Sequence, residues 1–72
     1  MNTDIRLKLS ERIRGLRKKC GYTQDKLAEI AGIDYKHLQL LESKHPSAAT
    51  IITIEKLAKA LKVSPSELLD FK

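Results

Sequence analysis

The sequence predicts an all-α fold, a compact bundle of five helices. Three observations carry that reading. Apolar residues recur at steps of three and four in separate segments, glycine, proline or capping residues divide those segments, and no stretch alternates in the manner of a half-buried strand. There is no internal repeat and no low-complexity tract, so one domain spanning 1–72 is expected, with a thin core at this length.

The first helix is predicted from Ile5, Leu9, Ile13, Leu16 and Cys20, which share one stripe and end near Gly21, with Leu7 off the stripe. Thr23 offers an N-cap for the second helix, Asp25 sits in its first turn where the helix dipole favours an acid, and Leu27, Ala28 and Ala31 mark its buried face. Gly32 supplies a left-handed turn, Ile33 an apolar plug and Asp34 the next N-cap. The third helix is expected from Tyr35 to Ser43, stopped before the pair His45-Pro46. Thr50 caps a fourth helix with Ile51, Ile54, Leu57, Ala58 and Leu61 on one face. Ser64-Pro65-Ser66-Glu67 reads as a capping box that opens a last short helix bearing Leu68, Leu69 and Phe71.

The third helix raises the functional question. At about 100° per residue, with Leu38 taken as origin, Leu41 falls about 60° away on the same side. Tyr35, Gln39, Lys36 and Leu40 then spread over roughly 60° to 200° on the other. Leu38 and Leu41 therefore anchor the helix, and Leu40 faces away among polar residues. A lone exposed leucine is unremarkable in itself. A polar face with one apolar side chain also matches the major groove, where hydrogen-bonding base edges lie beside thymine methyl groups.

Charge points the same way. The chain carries a net charge of +5, and the segment from Arg6 to Lys19 holds +6 of it, leaving −1 for the remainder. Such a patch attracts phosphate polyanions or an acidic membrane surface. Membrane attachment is disfavoured because the apolar stripe of the first helix is needed for the core, and no apolar run reaches the roughly 20 residues of a span. The N-terminus has no signal-peptide character and the single Cys20 excludes an internal disulfide, so a cytoplasmic protein is expected, with Cys20 a reduced, buried thiol. His37, His45 and Cys20 fail the usual zinc spacings, so no metal is expected. No glycine-rich phosphate loop or nucleophile with a base signature is present, so neither a catalytic residue, a cofactor nor a small-molecule substrate is expected.

The run from Leu9 to Asp34 (LSERIRGLRKKCGYTQDKLAEIAGID), followed by Leu38, Leu41 and Glu42, then KLAKAL at 56–61 and VSPSELL at 63–69, resembles the phage repressor and Cro type of helix-turn-helix domain, the family of xenobiotic-response-element regulators. The resemblance covers about 9 to 71. It rests on spaced features taken together, namely Arg17, Thr23-Gln24, Leu27-Ala28, Gly32, Glu42 and Ala58. It implies a lambda-repressor-like five-helix domain with the helix-turn-helix at about 24–43 and its second helix in the major groove.

By the same resemblance, bases are read by Tyr35, Lys36, His37 and Leu40 with Gln39 close by. Backbone phosphates are held by Gln24 at the N-terminus of the second helix, with Thr23, and by Ser43 and Lys44. Arg17 and Glu42 match a buried ion pair between the first and third helices. The chain departs from the family at Lys44, where relatives carry glycine, and in a longer loop from Ser43 to Ala49, through which His45, Pro46 and Ser47 would meet the sugar-phosphate chain differently or not at all. The expected function is that of a sequence-specific double-stranded DNA-binding transcriptional regulator of bacterial or phage origin, a repressor acting as a homodimer. Leu69, Phe71 and the adjoining end of the fourth helix are candidates for the dimer contact. The rival reading is an antitoxin-like or adaptor module that binds another protein through the same helix face.

Overall fold

The computed structural model describes residues 5–43 and 49–70; Lys44, His45, Pro46, Ser47 and Phe71 lie outside them. Among the described residues there are five α-helices and no strand: α1 (Ile5–Cys20), α2 (Gln24–Ala31), α3 (Tyr35–Leu41), α4 (Ile51–Ala60) and α5 (Pro65–Leu68). None is long and apolar enough to cross a membrane. The helix α2 packs on α3 and α4, while α5 packs on α4 and α1. Leu9, Ile13, Leu27, Leu38, Leu41, Leu57, Leu61 and Leu68 meet in one core together with Ala28, Ala31, Ala58 and Ala60. Each fully buried leucine contributes about 1.5–3 kcal/mol by leaving water.

The expected stripes are present but shorter at their N-terminal ends. Ile5 is 65% exposed, so the buried stripe of α1 starts at Leu9, and Leu16 and Cys20 are half-buried rather than sealed. Ile51, expected on the inner face of α4, is 84% exposed. It points within about 20° of Ala58, yet stands two turns nearer the N-terminus, where the core has already ended. Thr53 takes a buried place instead, its hydroxyl 3.0 Å from that of Thr50.

The helix ends follow their local chemistry. Thr23 and Thr50 accept hydrogen bonds at their N-caps from the N–H groups of Lys26 and Thr53. Asp34 occupies the N-cap position of α3 in backbone terms, but its side chain makes no capping bond. At the end of α2, Gly32 has φ 71°, and the N–H of Ile33 returns to the Ala28 carbonyl at 3.1 Å. The same motif closes α4 at Lys62, a non-glycine residue with φ 63°, where the N–H of Val63 donates to the Ala58 carbonyl. The capping box of α5 is complete: the Ser64 hydroxyl accepts from the Glu67 N–H at 3.1 Å, and the Ser64 N–H donates to Glu67 Oε1 at 3.0 Å.

The third helix stops at Leu41, two residues earlier than expected. The stop is made inside the fold, at Glu42. The Arg17 guanidinium donates to both carboxylate oxygens of Glu42, from Nε to Oε2 at 2.9 Å and from Nη2 to Oε1 at 3.1 Å. Gln24 Nε2 donates to Oε1 at 3.1 Å, and Arg14 Nη2 donates to the Glu42 main-chain carbonyl at 3.2 Å. Arg17 spends its remaining nitrogen on the Tyr22 carbonyl at 2.9 Å. The Glu42 side chain is 1% exposed and that of Arg17 12%.

Replacing Glu42 with alanine strands the Arg17 charge and the Gln24 donor in the interior, so urea melts of Glu42→Ala should show a loss of roughly 3–5 kcal/mol. The capping box of α5 adds a dependence on pH. Hydrogen bonds from the Ser64 backbone and side chain, together with the Arg12 charge, hold the Glu67 carboxyl below its ordinary value of 4.5. A depressed folded value means that the stabilisation is complete above the unfolded value and is lost as pH falls from there through the folded one. Glutamine at this position preserves the capping box without titrating. The melting-temperature difference between wild type and Glu67→Gln should therefore be largest near neutral pH and shrink below about pH 4.5.

Candidate nucleic-acid interface

With Leu38 and Leu41 sealed in the core, α3 turns Tyr35, Lys36, Gln39 and Leu40 outward. Leu40 is 51% exposed and Tyr35 42%. These four form one continuous face, and Gln39 Nε2 donates to the Tyr35 hydroxyl oxygen at 3.2 Å across one helical turn. His37 is half-buried at the flank of this face rather than at its centre. Lys36 is the charged group on the face, a donor with no acceptor of its own.

The residues expected at phosphates stand in two groups. Thr23 and Gln24 begin α2, where free backbone N–H groups and the positive end of the helix dipole favour an anion. Gln24 is half-buried, and its bond to Glu42 fixes its amide beside the end of α3. Ser43 follows α3, with its hydroxyl donating to the Leu40 carbonyl at 2.8 Å, and Lys44 lies outside the described residues. The turn at Gly32 joins the two helices, and the bond to Glu42 ties Gln24 to the C-terminal end of α3.

Sequence reasoning missed the part played by α1 here. Net charge treats its basic residues alike, as contributors to one patch. Instead Arg12 donates twice to the Glu67 carbonyl, at 3.2 and 2.8 Å, and Arg14 holds the carbonyl of Glu42. Ser10, which carries no pattern of its own, is buried, with its hydroxyl 3.4 Å from the Ser43 carbonyl. Each arginine meets a carbonyl at the C-terminal end of another helix, where its fork satisfies groups the helix leaves free, and nothing in the local sequence of α1 announces it. Periodicity alone cannot say which helix it will reach. Lys18 and Lys19 face solvent. Cys20 Sγ lies 3.7 Å from the Leu61 carbonyl, and among the described residues no group of three or more His, Cys, Asp or Glu is placed to hold a metal ion.

Comparison with known proteins places this arrangement. The family model described as Helix-turn-helix matches residues 13–68. The transcriptional regulator SinR of Bacillus subtilis is 36% identical over 64 residues, which is 89% of this chain and 58% of SinR, so the chain spans little more than half the length of that relative. Among solved structures, the restriction-modification controller protein C.AhdI from Aeromonas hydrophila superposes with a TM-score of 0.82 at 33% identity, covering 88% of this chain and 94% of its own. A SinR structure solved in complex with DNA superposes with a TM-score of 0.80 at 35% identity, covering 86% of this chain and 98% of that one. Matched in sequence over residues 13–68 and in fold over 88% of its length, the chain belongs to the helix-turn-helix family.

Proposed function

We propose that this protein is a sequence-specific double-stranded DNA-binding regulator of transcription, a repressor, and that α3 is its major-groove reader. The observation that carries this reading is the division of α3 into an anchored side, Leu38 and Leu41, and an outward side on which donors, an amide and one apolar group stand together. Lys36 supplies a cation for guanine O6 or N7, Leu40 a surface for a thymine methyl, and Tyr35, Gln39 and the flanking His37 complete the base contacts. Gln24, Thr23, Ser43 and Lys44 take the backbone phosphates and set the register. That the related SinR has been solved with DNA supports the same reading. No cofactor and no catalytic step belong to this reading, and the cytoplasm is its natural setting.

A helix of two turns covers only a few base pairs, so useful selectivity needs two half-sites and hence two copies of the domain. The surface that fits a second copy is the apolar groove between the start of α4 and α5, lined by Ile51, Ile52, Ile54, Glu55, Pro65 and Leu69. Ile51, Ile52 and Leu69 are all substantially exposed there. This extends the expected dimer contact at Leu69 to the beginning of α4.

Binding to a selected operator should fall steeply with salt, in proportion to the number of phosphates neutralised. Lys36→Ala should change base preference at one position, whereas Gln24→Ala should weaken all sequences alike. Loss of no affinity between low and moderate salt, or the absence of any DNA binding by the pure protein at low salt, would favour a protein partner for α3 instead. For the dimer, Ile52→Asp should shift sedimentation toward the monomer and reduce binding to a two-half-site operator by tenfold or more, while leaving the melting temperature of the exposed site nearly unchanged.

A further inference from the structure

Resting on the proposed reading of α3, we propose that Tyr35 is a positioning residue that holds Gln39 to read one adenine in each half-site. The starting point is the contact between them: Gln39 Nε2 donates to the Tyr35 hydroxyl oxygen at 3.2 Å, on a face where both side chains are exposed. An exposed glutamine has three side-chain torsions and no preferred direction for its amide, and ordering it on binding carries an entropic cost. Tyrosine has far fewer rotamers to lose. Its ring stands at the start of α3 one turn before Gln39, and with fewer torsions to order, its hydroxyl acts as a stay for the amide.

The hydrogen-bonding inventory then selects the base. A glutamine amide has two N–H donors and one carbonyl acceptor. With one donor committed to Tyr35, one donor and one acceptor remain. Adenine offers the complementary pair in the major groove, an N7 acceptor and an N6–H donor. Guanine offers two acceptors, which would set its O6 against the glutamine oxygen, and cytosine offers only a donor. Because the bond uses Nε2, the end of the amide left unconstrained is the acceptor, the group that distinguishes adenine from guanine. The Tyr35 hydroxyl keeps its own hydrogen for a phosphate or a base acceptor. Lys36, by contrast, is donor-only and suits guanine. The two neighbouring side chains therefore divide the purines between them.

Selection from a random duplex pool, carried out with wild type, Tyr35→Phe, Gln39→Ala and the double variant, tests this assignment. The wild-type pool should contain one adenine per half-site that becomes unselected in Gln39→Ala while the other positions persist. Tyr35→Phe, which keeps the ring and removes only the hydroxyl, should reduce the preference for adenine over guanine at that same position by roughly tenfold. It should have no further effect at that position in the Gln39→Ala background. Replacing that adenine with 7-deazaadenine should weaken the wild type severalfold and leave Gln39→Ala indifferent. Adenine preference unchanged in Tyr35→Phe, or independent effects of the two substitutions, would overturn the positioning role. A selected motif with no Gln39-dependent adenine would overturn the base assignment while leaving the proposed function standing. Failure of the wild type to select any motif would remove the proposed function itself.

Discussion

The fold is organised around a carboxylate turned inward. Glu42 lies at the end of α3, its side chain sealed from solvent, and both of its oxygens are met by donors from two other helices, Arg17 of α1 and Gln24 of α2. A buried ion of this kind is costly to desolvate and holds only when its lone pairs are satisfied. Here the satisfaction comes from side chains that must first be brought together by the packing of Leu27, Leu38 and Leu41. Hydrophobic burial and the polar network are therefore not separate contributions. The first sets the distances, and the second rejects any docking of α3 in which Glu42 would lose a partner.

The same network explains how the basic residues of α1 divide. Arg12, Arg14 and Arg17 are occupied, reaching the carbonyl of Glu67, the carbonyl of Glu42 and the carboxylate of Glu42. Lys18 and Lys19 stand in solvent. This matches the chemistry of the two side chains: the planar guanidinium fork satisfies fixed acceptors in pairs, whereas an ammonium on a flexible stem stays hydrated. The positive field of α1 therefore comes from groups that are mobile and groups that are rigidly held, both contributing at a distance regardless of what each touches.

Most of the helical layout was legible because it is written locally. Thr23, Thr50 and Ser64 announce helix starts by side-chain oxygens three residues before an N–H, and Gly32 announces a stop through a backbone angle that other residues avoid. The outward placement of Leu40 could be computed from helical rotation alone. What was not legible depended on where the core ends. Ile5 and Ile51 have the right phase and are nevertheless exposed, because periodicity gives direction around an axis and not position along it. The early end of α3 was hidden for a related reason: it is set by Arg14 and Arg17, twenty-five or more residues away in sequence. Lys62 shows the converse, a left-handed turn where no glycine signals it.

Seven residues are too few to form a stable helix in water, since nucleation is unfavourable and each added residue returns little. The outward face of α3 has no existence apart from the body that carries it. An excised peptide of this segment would be a coil without affinity or preference. Within the intact chain, that face disappears at the same temperature as the fold, so any selection acting on it also acts on Arg17, Glu42 and every other residue that keeps those two turns wound.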